Sequence, residues 1–240
     1  MKLKLSRLLQ SQGLGTRRSC IASIQAGEVC VNGTICVNPE AVFDTANLHF
    51  SIAGETWQYR EKAYIAMHKL AGYECSHQPL HHPSVFSLLP APLLERGVQC
   101  VGRLDQDTTG LLLISDDGSF LHRATSPAKR IGKVYEVCCK HLIDDAQITA
   151  LRQGVQLRDT PEPVAALACT RITPNTVHMS IAEGKHHQVK RMLAAVGNRV
   201  EALHRVAIGG YILPSELLPG AWCWMTDEDL KRVEEPSGGV

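Results

Sequence analysis

Residues 102–115, GRLDQDTTGLLLIS, join a polar loop to an apolar run that predicts a strand. A loop at the mouth of a rigid sheet is a common position for catalytic groups. Asp105 and Asp107 are two residues apart and share one side of an extended segment, and two close carboxylates are the minimum that a retaining glycosidase needs. Spacing alone leaves the function open, because Asp-rich loops are also typical of turns and caps.

The sequence on either side of this loop alternates between predicted strands and predicted helices. Strands are predicted at Tyr64–Met67, Leu111–Ser115, Val134–Cys138, Val164–Thr170, Thr176–Ile181, Val200–Ile208 and Ala221–Met225. Helices are predicted at Ser84–Leu89, Ser119–Thr125, Asp144–Gln153, His187–Val196 and Asp227–Val233. Because the helices are scattered among many strands without regular βαβ spacing, the pattern indicates an α+β domain around a mixed, mainly antiparallel sheet.

The N-terminal residues predict a separate small domain. Apolar residues at helical spacing predict two short helices, Leu3–Gln10 and Arg17–Ala26. Asn32-Gly33 between two apolar runs is a strong hairpin signal, and a further strand is predicted near Leu48–Ile52. We therefore predict a small domain over residues 1–58, a larger domain over residues 59–233 and a disordered tail over residues 234–240.

Length and composition agree with this division. The chain has 240 residues, of which 44% are hydrophobic and 20% charged, enough for one sizeable core and a small companion domain. No window approaches the run of about 18 apolar residues that a membrane span needs. The N-terminus mixes lysine and arginine into its leucines and lacks the apolar stretch of a secretory signal. We expect a cytoplasmic protein with no membrane partner.

Charge is distributed unevenly along a nearly neutral chain. The net charge is +1, from 25 Lys and Arg against 24 Asp and Glu. Residues 1–60 carry six basic side chains against four acidic ones, and residues 184–205 carry five against one. Two local basic patches fit a protein that holds a polyanion at defined places, although ordinary solvated charge gives the same pattern.

Cysteine and histidine spacing predicts no metal site. The nine cysteines are odd in number and include no C-x-x-C, so we expect reduced, mostly buried thiols rather than a disulfide or zinc framework. His81-His82 and His186-His187 are adjacent pairs, and neighbours on a helix or strand point apart.

A second informative stretch is AEGKHHQVKRML, residues 182–193. From Val189 onward, apolar residues recur at i, i+3, i+4 and i+7, which predicts a helix packed on a core. Lys190 lies at the edge of that apolar face and Arg191 roughly opposite it. A lysine at this edge can bring its ammonium into a cleft and stabilise a nearby carboxylate, or simply extend to water along the apolar surface. Arg191 is expected to face outward.

Four blocks, in order, together resemble the motifs of the RsuA/RluB family of ribosomal RNA pseudouridine synthases. They are GRLDQDTTGL at 102–111, KVY at 133–135, EGKHHQVKRM at 183–192, and Leu203-His204-Arg205 through Ile208-Gly209. The N-terminal residues resemble the small α-L RNA-binding module, shared with a ribosomal protein, that precedes the catalytic domain in this family. The resemblance covers about residues 1–233. The Thr-Thr-Gly form of the aspartate loop, followed by Asp116-Asp117-Gly118, resembles the small-subunit enzymes most.

The resemblance implies isomerisation of uridine to pseudouridine in small-subunit (16S) ribosomal RNA, at uridine 516 in the family assignment. It implies that Asp105 is the nucleophile or base, that Tyr135 places its ring against the uracil, and that Lys190 is the charge partner of Asp105. The implied RNA contacts are Arg17, Arg18, Lys69, Arg103, Lys185, His187, Arg191, His204 and Arg205. The reaction needs no redox carrier, metal or nucleoside triphosphate, so no cofactor is expected. The expected partner is small-subunit ribosomal RNA or its assembly intermediate, bound by a monomer.

Departures from the family pattern leave alternatives open. His68-Lys69-Leu70 stands where the family has Asn-Lys-Pro, and Lys185-His186 stands where it has Arg-Tyr. A non-catalytic ribosomal RNA-binding or ribosome-assembly factor is one alternative, and a large-subunit ribosomal RNA pseudouridine synthase is another. A glycoside hydrolase using Asp105 and Asp107 is disfavoured, because three Trp, five Tyr and four Phe offer few platforms for sugars.

Overall fold

The structure, a computed structural model, describes residues 1–158 and 160–236. The chain divides into two compact units: Met1–Ala63 with Leu89–Val98, and Tyr64–Leu88 with Gln99–Val240. The boundary after Ala63 lies beyond the expected one after residue 58, and a segment expected in the larger domain belongs to the first unit. Among the described residues, no helix has both the length and the apolar character to cross a membrane.

The first unit combines three short helices with six short strands within the described residues. The helices are α1 (Leu5–Ser11), α2 (Arg17–Gln25) and α3 (Ala91–Glu95). The strands are β1 (Lys2–Lys4), β2 (Val29–Val31), β3 (Thr34–Ile35), β4 (Val42–Asp44), β5 (His49–Ile52) and β6 (Glu55–Gln58). One sheet has the order β3-β2-β5-β6, and β1 pairs with β4. Asn32 and Gly33 both have positive φ in the turn between β2 and β3, which confirms the predicted hairpin.

The second unit is built on a larger mixed sheet. Its strands are β7 (Tyr64–Lys69), β8 (Gln99–Cys100), β9 (Thr109–Ser115), β10 (Lys133–Cys139), β11 (Ala168–Thr173), β12 (Thr176–Ile181), β13 (Val200–Ile208), β14 (Tyr211–Ile212) and β15 (Trp222–Trp224). Its α-helices are α4 (Gly118–Thr125), α5 (Asp145–Gln153), α6 (Gln188–Ala195) and α7 (Asp227–Glu234), with 3-10 turns at Val85–Leu88 and Pro127–Lys129. The strand order is β11-β12-β10-β13-β9-β7-β15. In addition, β8 pairs with β9 and β14 pairs with β13.

The described pairings of this sheet are antiparallel except for β9 with β13, which are parallel. The expected α+β fold around a mixed, mainly antiparallel sheet is therefore confirmed. Strand β9 lies between β7 and β13, and Leu111–Ile114 are completely buried. The polar loop 102–108 therefore enters the sheet at one of its inner strands.

Gly110 is required where β9 meets β13. Its φ is +101°, and a Cβ atom there would lie 2.3 Å from the Arg205 carbonyl oxygen. Only glycine combines this φ with so close a backbone approach. Gly110 thus allows the start of β9 to lie directly against Arg205, which places the preceding loop beside the middle of β13.

Element boundaries were predicted best for long strands. The predictions Thr176–Ile181 and Val200–Ile208 match β12 and β13 exactly. Strand β11 begins at Ala168 rather than at Val164, which instead forms an isolated bridge with Val155. The start of the disordered tail was predicted one residue too early, because Glu234 is the last residue of α7. Residues 237–240 lie outside the described part of the chain.

Candidate active site

The loop that carries Asp105 is held in place by a buried lysine. Lys69 ends β7, is completely inaccessible to solvent, and donates hydrogen bonds to the backbone carbonyls of Leu70, Asp105, Gln106 and Thr108 at 2.8–3.2 Å. Burial lowers the pKa of Lys69. The expectation that Lys69 contacts RNA is therefore wrong, because its buried ammonium binds backbone carbonyls instead. Two of these carbonyls also accept a backbone hydrogen bond: Gln106 from the Gly72 N–H and Asp105 from the Thr108 N–H.

Asp105 lies between two basic side chains. Its Oδ2 atom is 3.3 Å from Lys190 Nζ and 3.4 Å from His187 Nε2, and its side chain is 26% exposed. The carboxylate thus lies within ion-pair distance of an ammonium and beside an imidazole, and it remains accessible to a ligand. Lys190 does approach Asp105, as the helical spacing predicts for a lysine at the edge of the apolar face of α6.

Lys190 has a second and closer partner that the sequence analysis did not assign. Its Nζ atom lies 2.8 Å from both carboxylate oxygens of Asp107. Burial by itself would raise the pKa of Asp107, but the Lys190 hydrogen bond and charge outweigh it, and the net pKa is lowered. The pKa of Lys190 is raised, because its bonds to the two carboxylates outweigh the opposite effect of burial. One ammonium thus joins both aspartates of the loop.

A cavity of about 580 Å³ opens in front of Asp105. Among the predicted site residues, its lining includes Arg103, Asp105, Tyr135, Lys185, His187 and Arg205. Tyr135 on β10 and Arg205 on β13 are paired across the two strands, and both side chains are buried. The cavity therefore combines a carboxylate with an aromatic ring and several cations, which suits a planar base attached to a phosphate backbone.

Arg205 is held inside the unit instead of on its surface. It is 3% exposed, and its Nε atom donates a 2.7 Å hydrogen bond to the carbonyl of Leu111. Its Nη2 atom is buried and has no hydrogen-bond partner among the residues that the structure describes. A buried guanidinium nitrogen in a cavity wall is a donor available to a ligand that enters the cavity.

Two further basic residues lie differently from the expectation. His204 is not among the residues lining the cavity: its Nδ1 atom lies 2.8 Å from Thr109 Oγ1, and its ring packs edge-on against His68. Burial, followed by the charge of His68, lowers the pKa of His204, so a cationic RNA contact by this residue is not supported. Arg191 has intermediate exposure, so its side chain is less open to solvent than a fully outward position would make it.

The remaining predicted cations are exposed. Arg103 precedes the aspartates in the loop, and Lys185 pairs with Glu183 at 2.9 Å before α6. Arg17 and Arg18 are exposed in the first turn of α2, in the first unit. Exposure of this kind is compatible with contacts to phosphate groups.

Two other cavity residues received no role from the sequence, although Lys133 lies in the KVY block. Lys133 donates a 2.7 Å hydrogen bond to the Ile131 carbonyl, and burial, with the nearby Arg205 charge, lowers its pKa to about 8. Cys75 also lines the cavity, and a hydrogen bond from the Cys100 thiol lowers the pKa of Cys75. Nothing in the spacing of these residues indicates their proximity, because distant segments bring them together.

The adjacent histidines before α6 do not point apart. His187 has φ +51°, in the left-handed region, and its ring stacks on that of His186 with centroids 3.7 Å apart and planes 24° apart. The expectation from regular helix or strand geometry is therefore wrong at this position. The left-handed residue that starts α6 turns both rings toward the same side as Asp105.

Comparison with known proteins identifies the family. Residues 63–195, which include Asp105, Tyr135 and Lys190, match the family model described as RNA pseudouridylate synthase. The chain belongs to the RNA pseudouridylate synthase family. Its members are isomerases, and the matched residues extend from the start of β7 to the end of α6.

Relatives of nearly equal length support the same assignment. The chain is 36% identical to the ribosomal small subunit pseudouridine synthase A of Vibrio parahaemolyticus over 238 residues, covering 96% of this chain and 99% of the relative. It is 36% identical to the enzyme of the same name from Escherichia coli (strain K12), covering 96% and 100%. A solved structure described as a pseudouridylate synthase has a TM-score of 0.69 and 30% identity, covering 96% of this chain and 99% of that chain. The resemblance seen in the four sequence blocks is thus confirmed.

Proposed function

We propose that this chain isomerises uridine to pseudouridine in small-subunit ribosomal RNA, with uridine 516 of the 16S RNA as the target. The observation that carries the proposal is the partly exposed carboxylate of Asp105, which lies in a cavity between two basic side chains. The choice of small-subunit RNA rests on full-length similarity to two ribosomal small subunit pseudouridine synthase A enzymes.

The reaction breaks the bond from N1 of uracil to C1′, turns the base, and joins C5 to C1′. The proton on C5 is then lost and N1 gains a proton, so the product is an isomer of uridine. Asp105 attacks C6 of the base, attacks C1′, or removes the 2′ proton, and each route requires the ionised carboxylate. Lys190 and His187, both within 3.4 Å of Asp105, stabilise that form when RNA excludes water from the cavity.

The target nucleotide reaches Asp105 only when it leaves the base stack, at a cost of a few kcal/mol. The cavity, at about 580 Å³, lies within the range of about 300–1,000 Å³ typical of small-molecule sites. In this proposal Tyr135 packs against the flipped uracil. Arg103 and Lys185 contact phosphates at the rim, and Arg205 donates a hydrogen bond from Nη2 inside the cavity.

The first unit is proposed to be the α-L RNA-binding module. Its strongest support is the exposed pair Arg17 and Arg18 at the N-terminal end of α2, where backbone donors of the first turn are also available to phosphate. Phosphate contacts of this kind position RNA without reading its sequence.

The function is tested by mapping pseudouridine in RNA treated with purified protein. Transcripts of small-subunit and large-subunit ribosomal RNA are incubated with the parent, Asp105→Asn and Asp107→Asn proteins, and sites are located by carbodiimide labelling and reverse transcription. We expect one site in small-subunit RNA from the parent protein. Loss of an essential nucleophile in Asp105→Asn should lower the rate by many orders of magnitude without loss of RNA binding, and Asp107→Asn should cost less.

Two outcomes would contradict parts of this proposal, one the substrate RNA and the other the role of Asp105. Modification of the large-subunit transcript alone would favour a large-subunit enzyme. Turnover by Asp105→Asn within tenfold of the parent would end the assignment of Asp105. The same mapping in ribosomal RNA from a deletion strain then locates the uridine that depends on this protein in the cell.

A further inference from the structure

We propose that Asp105, His186 and His187 form a binding site for a divalent transition-metal ion such as Zn²⁺, and that occupation of this site inhibits the enzyme. Metal binding stands on the geometry of three side chains. Inhibition rests on the proposed function, because it requires Asp105 to be the reacting group.

The three residues already bring their donor atoms together. One ring nitrogen from each histidine and one Asp105 oxygen all lie within 4.8 Å of one another. His187 Nε2 and Asp105 Oδ2 are 3.4 Å apart, about the spacing of two ligands on a tetrahedral zinc ion with bonds of about 2.1 Å. The histidines are exposed, so their side chains can rotate to complete the approach without disturbing a packed core.

The backbone explains why two adjacent histidines share one ion. In a regular helix or strand their side chains would diverge. The left-handed conformation of His187 places its ring against that of His186, and the start of α6 holds both rings beside the aspartate loop. The site therefore depends on a conformation that adjacent histidines rarely adopt.

The neighbouring ammonium of Lys190 opposes a cation here. Its two shorter contacts are with Asp107, at 2.8 Å, and its contact with Asp105 is longer, at 3.3 Å. Lys190 can thus remain on Asp107 while Asp105 turns to the ion. Two imidazoles and one carboxylate, with a position left open for water, match the ligand set of zinc sites that bind an exchangeable ligand.

The donor set also determines which ions bind. Imidazole nitrogen suits Zn²⁺, Ni²⁺ and Cu²⁺, whereas Mg²⁺ and Ca²⁺ prefer oxygen ligands throughout. The magnesium ions that accompany folded RNA therefore do not compete for this site. A bound transition metal occupies the lone pairs of Asp105 and fills the space in which the flipped base would lie, so the isomerisation stops.

Metal binding is measured by calorimetric titration of tag-free, full-length protein with ZnCl₂ and, separately, with NiCl₂ and MgCl₂. We expect one zinc ion per chain in the parent protein and weaker binding by at least about tenfold in His186→Phe. His82→Phe, which replaces an exposed histidine outside the cluster, serves as the matched control and should bind like the parent. Asp105→Asn provides a second ligand variant for the binding measurement.

Equal zinc affinity in the parent, His186→Phe and Asp105→Asn proteins would overturn the metal site, because binding would then lie elsewhere, for example at thiols. Binding of MgCl₂ as tight as that of ZnCl₂ would overturn it as well. Nickel binding that is lost in His186→Phe and kept in His82→Phe supports the site, since imidazole is a good nickel ligand.

Inhibition is measured in single-turnover isomerisation at constant Mg²⁺. We expect zinc to stop the parent enzyme reversibly, with recovery on chelation, and to affect His186→Phe at least about tenfold less. Zinc binding that depends on His186, in a protein that modifies no RNA, would leave the metal site standing and refute the proposed function. Active enzyme whose zinc inhibition is the same in His186→Phe would refute the inhibitory site alone.

Discussion

The Lys190 ammonium lies 2.8 Å from both carboxylate oxygens of Asp107, closer than its 3.3 Å contact with Asp105 Oδ2. Asp107 therefore holds Lys190 in position, and Lys190 in turn lies beside Asp105, which lines the cavity. Asp107 is 55% exposed, so the ion pair itself contributes little to stability. Its consequence is geometric, because it fixes a positive charge beside Asp105.

Replacement of Lys190 by methionine should lower the saturated single-turnover rate. Loss of a preorganised cation at a reacting group typically costs about 10²–10³-fold, and we expect a loss in this range with little change in RNA affinity. Asp107→Asn is the comparison variant: it removes the carboxylate that holds Lys190 but keeps the ammonium, which can still pair with Asp105. Its rate should therefore fall less, and stay within about tenfold of the parent. A Lys190→Met protein with a normal saturated rate and weakened RNA binding would place this lysine on phosphate instead.

Lys69→Met should unfold more easily, because the carbonyls of Leu70 and Thr108 lose the Lys69 donor and those of Asp105 and Gln106 keep only one backbone N–H each. Each unsatisfied buried group costs about 1–3 kcal/mol, so we expect a loss of at least about 2 kcal/mol in the free energy of unfolding in urea. Lys140→Met replaces an exposed lysine and should change this quantity by less than about 0.5 kcal/mol. Unchanged stability with a flatter salt dependence of RNA binding would restore Lys69 as an RNA contact.

Gly110→Ala should be strongly destabilising for a reason that goes beyond backbone strain. An added Cβ atom meets three backbone atoms of Arg205 at 2.3–2.9 Å. Gly197 has φ +78° and open space around a built Cβ, so Gly197→Ala carries the left-handed strain of about 1–2 kcal/mol without the clash. Urea unfolding of both variants separates the two effects, and equal losses would show that β9 and β13 can move apart.

Arg17→Ala combined with Arg18→Ala should weaken RNA binding in the full chain and reduce its salt dependence. Each lost phosphate contact makes the slope of log affinity against log salt shallower by about 0.7–0.9. Arg152→Ala, an exposed arginine on α5, is the control and should leave the slope unchanged. An identical slope for the double variant would place the RNA anchor outside α2.

The sequence predicted those parts of the molecule that local patterns determine. Strands β12 and β13 were predicted exactly, because their apolar and β-branched residues extend over six and nine positions. Short strands such as β8 and β14 were missed, since two residues carry no periodicity. Pairing between distant segments, and not the local pattern, creates these strands.

The site was predicted less completely than the fold, for the same physical reason. The approach of Lys190 to the aspartate loop follows from its place on an amphipathic helix, but its preference for Asp107 depends on a tertiary distance. A lysine with no exposed surface, such as Lys69, contradicts the usual preference of this residue for water. The stacking of His186 on His187 requires a left-handed residue, which no pattern around it indicates.

Lys133 should make the free energy of unfolding increase with pH, and replacing Lys133 should remove this dependence. Its pKa is lowered from 10.5 to about 8 by burial and by the Arg205 charge. The pKa of Lys133 is lower in the folded protein than in the unfolded chain. The contribution of Lys133 to stability is therefore fully present above pH 10.5 and is lost as the pH falls through about 8. At neutral pH the folded protein therefore carries the cost of a buried ammonium.

Lys133→Met removes that cost. The unfolding temperature of the variant minus that of the parent should therefore be largest near pH 7 and should decline as the pH rises toward 10. The lost hydrogen bond to the Ile131 carbonyl adds an offset that does not vary with pH, so the slope of the difference is the quantity to measure. Thermal unfolding of both proteins across this range provides it, with Lys140→Met as the exposed-lysine control that should show no slope. A difference that stays constant between pH 7 and pH 10 would mean that the Lys133 ammonium keeps its hydration beside the cavity, and that Arg205 does not repel it.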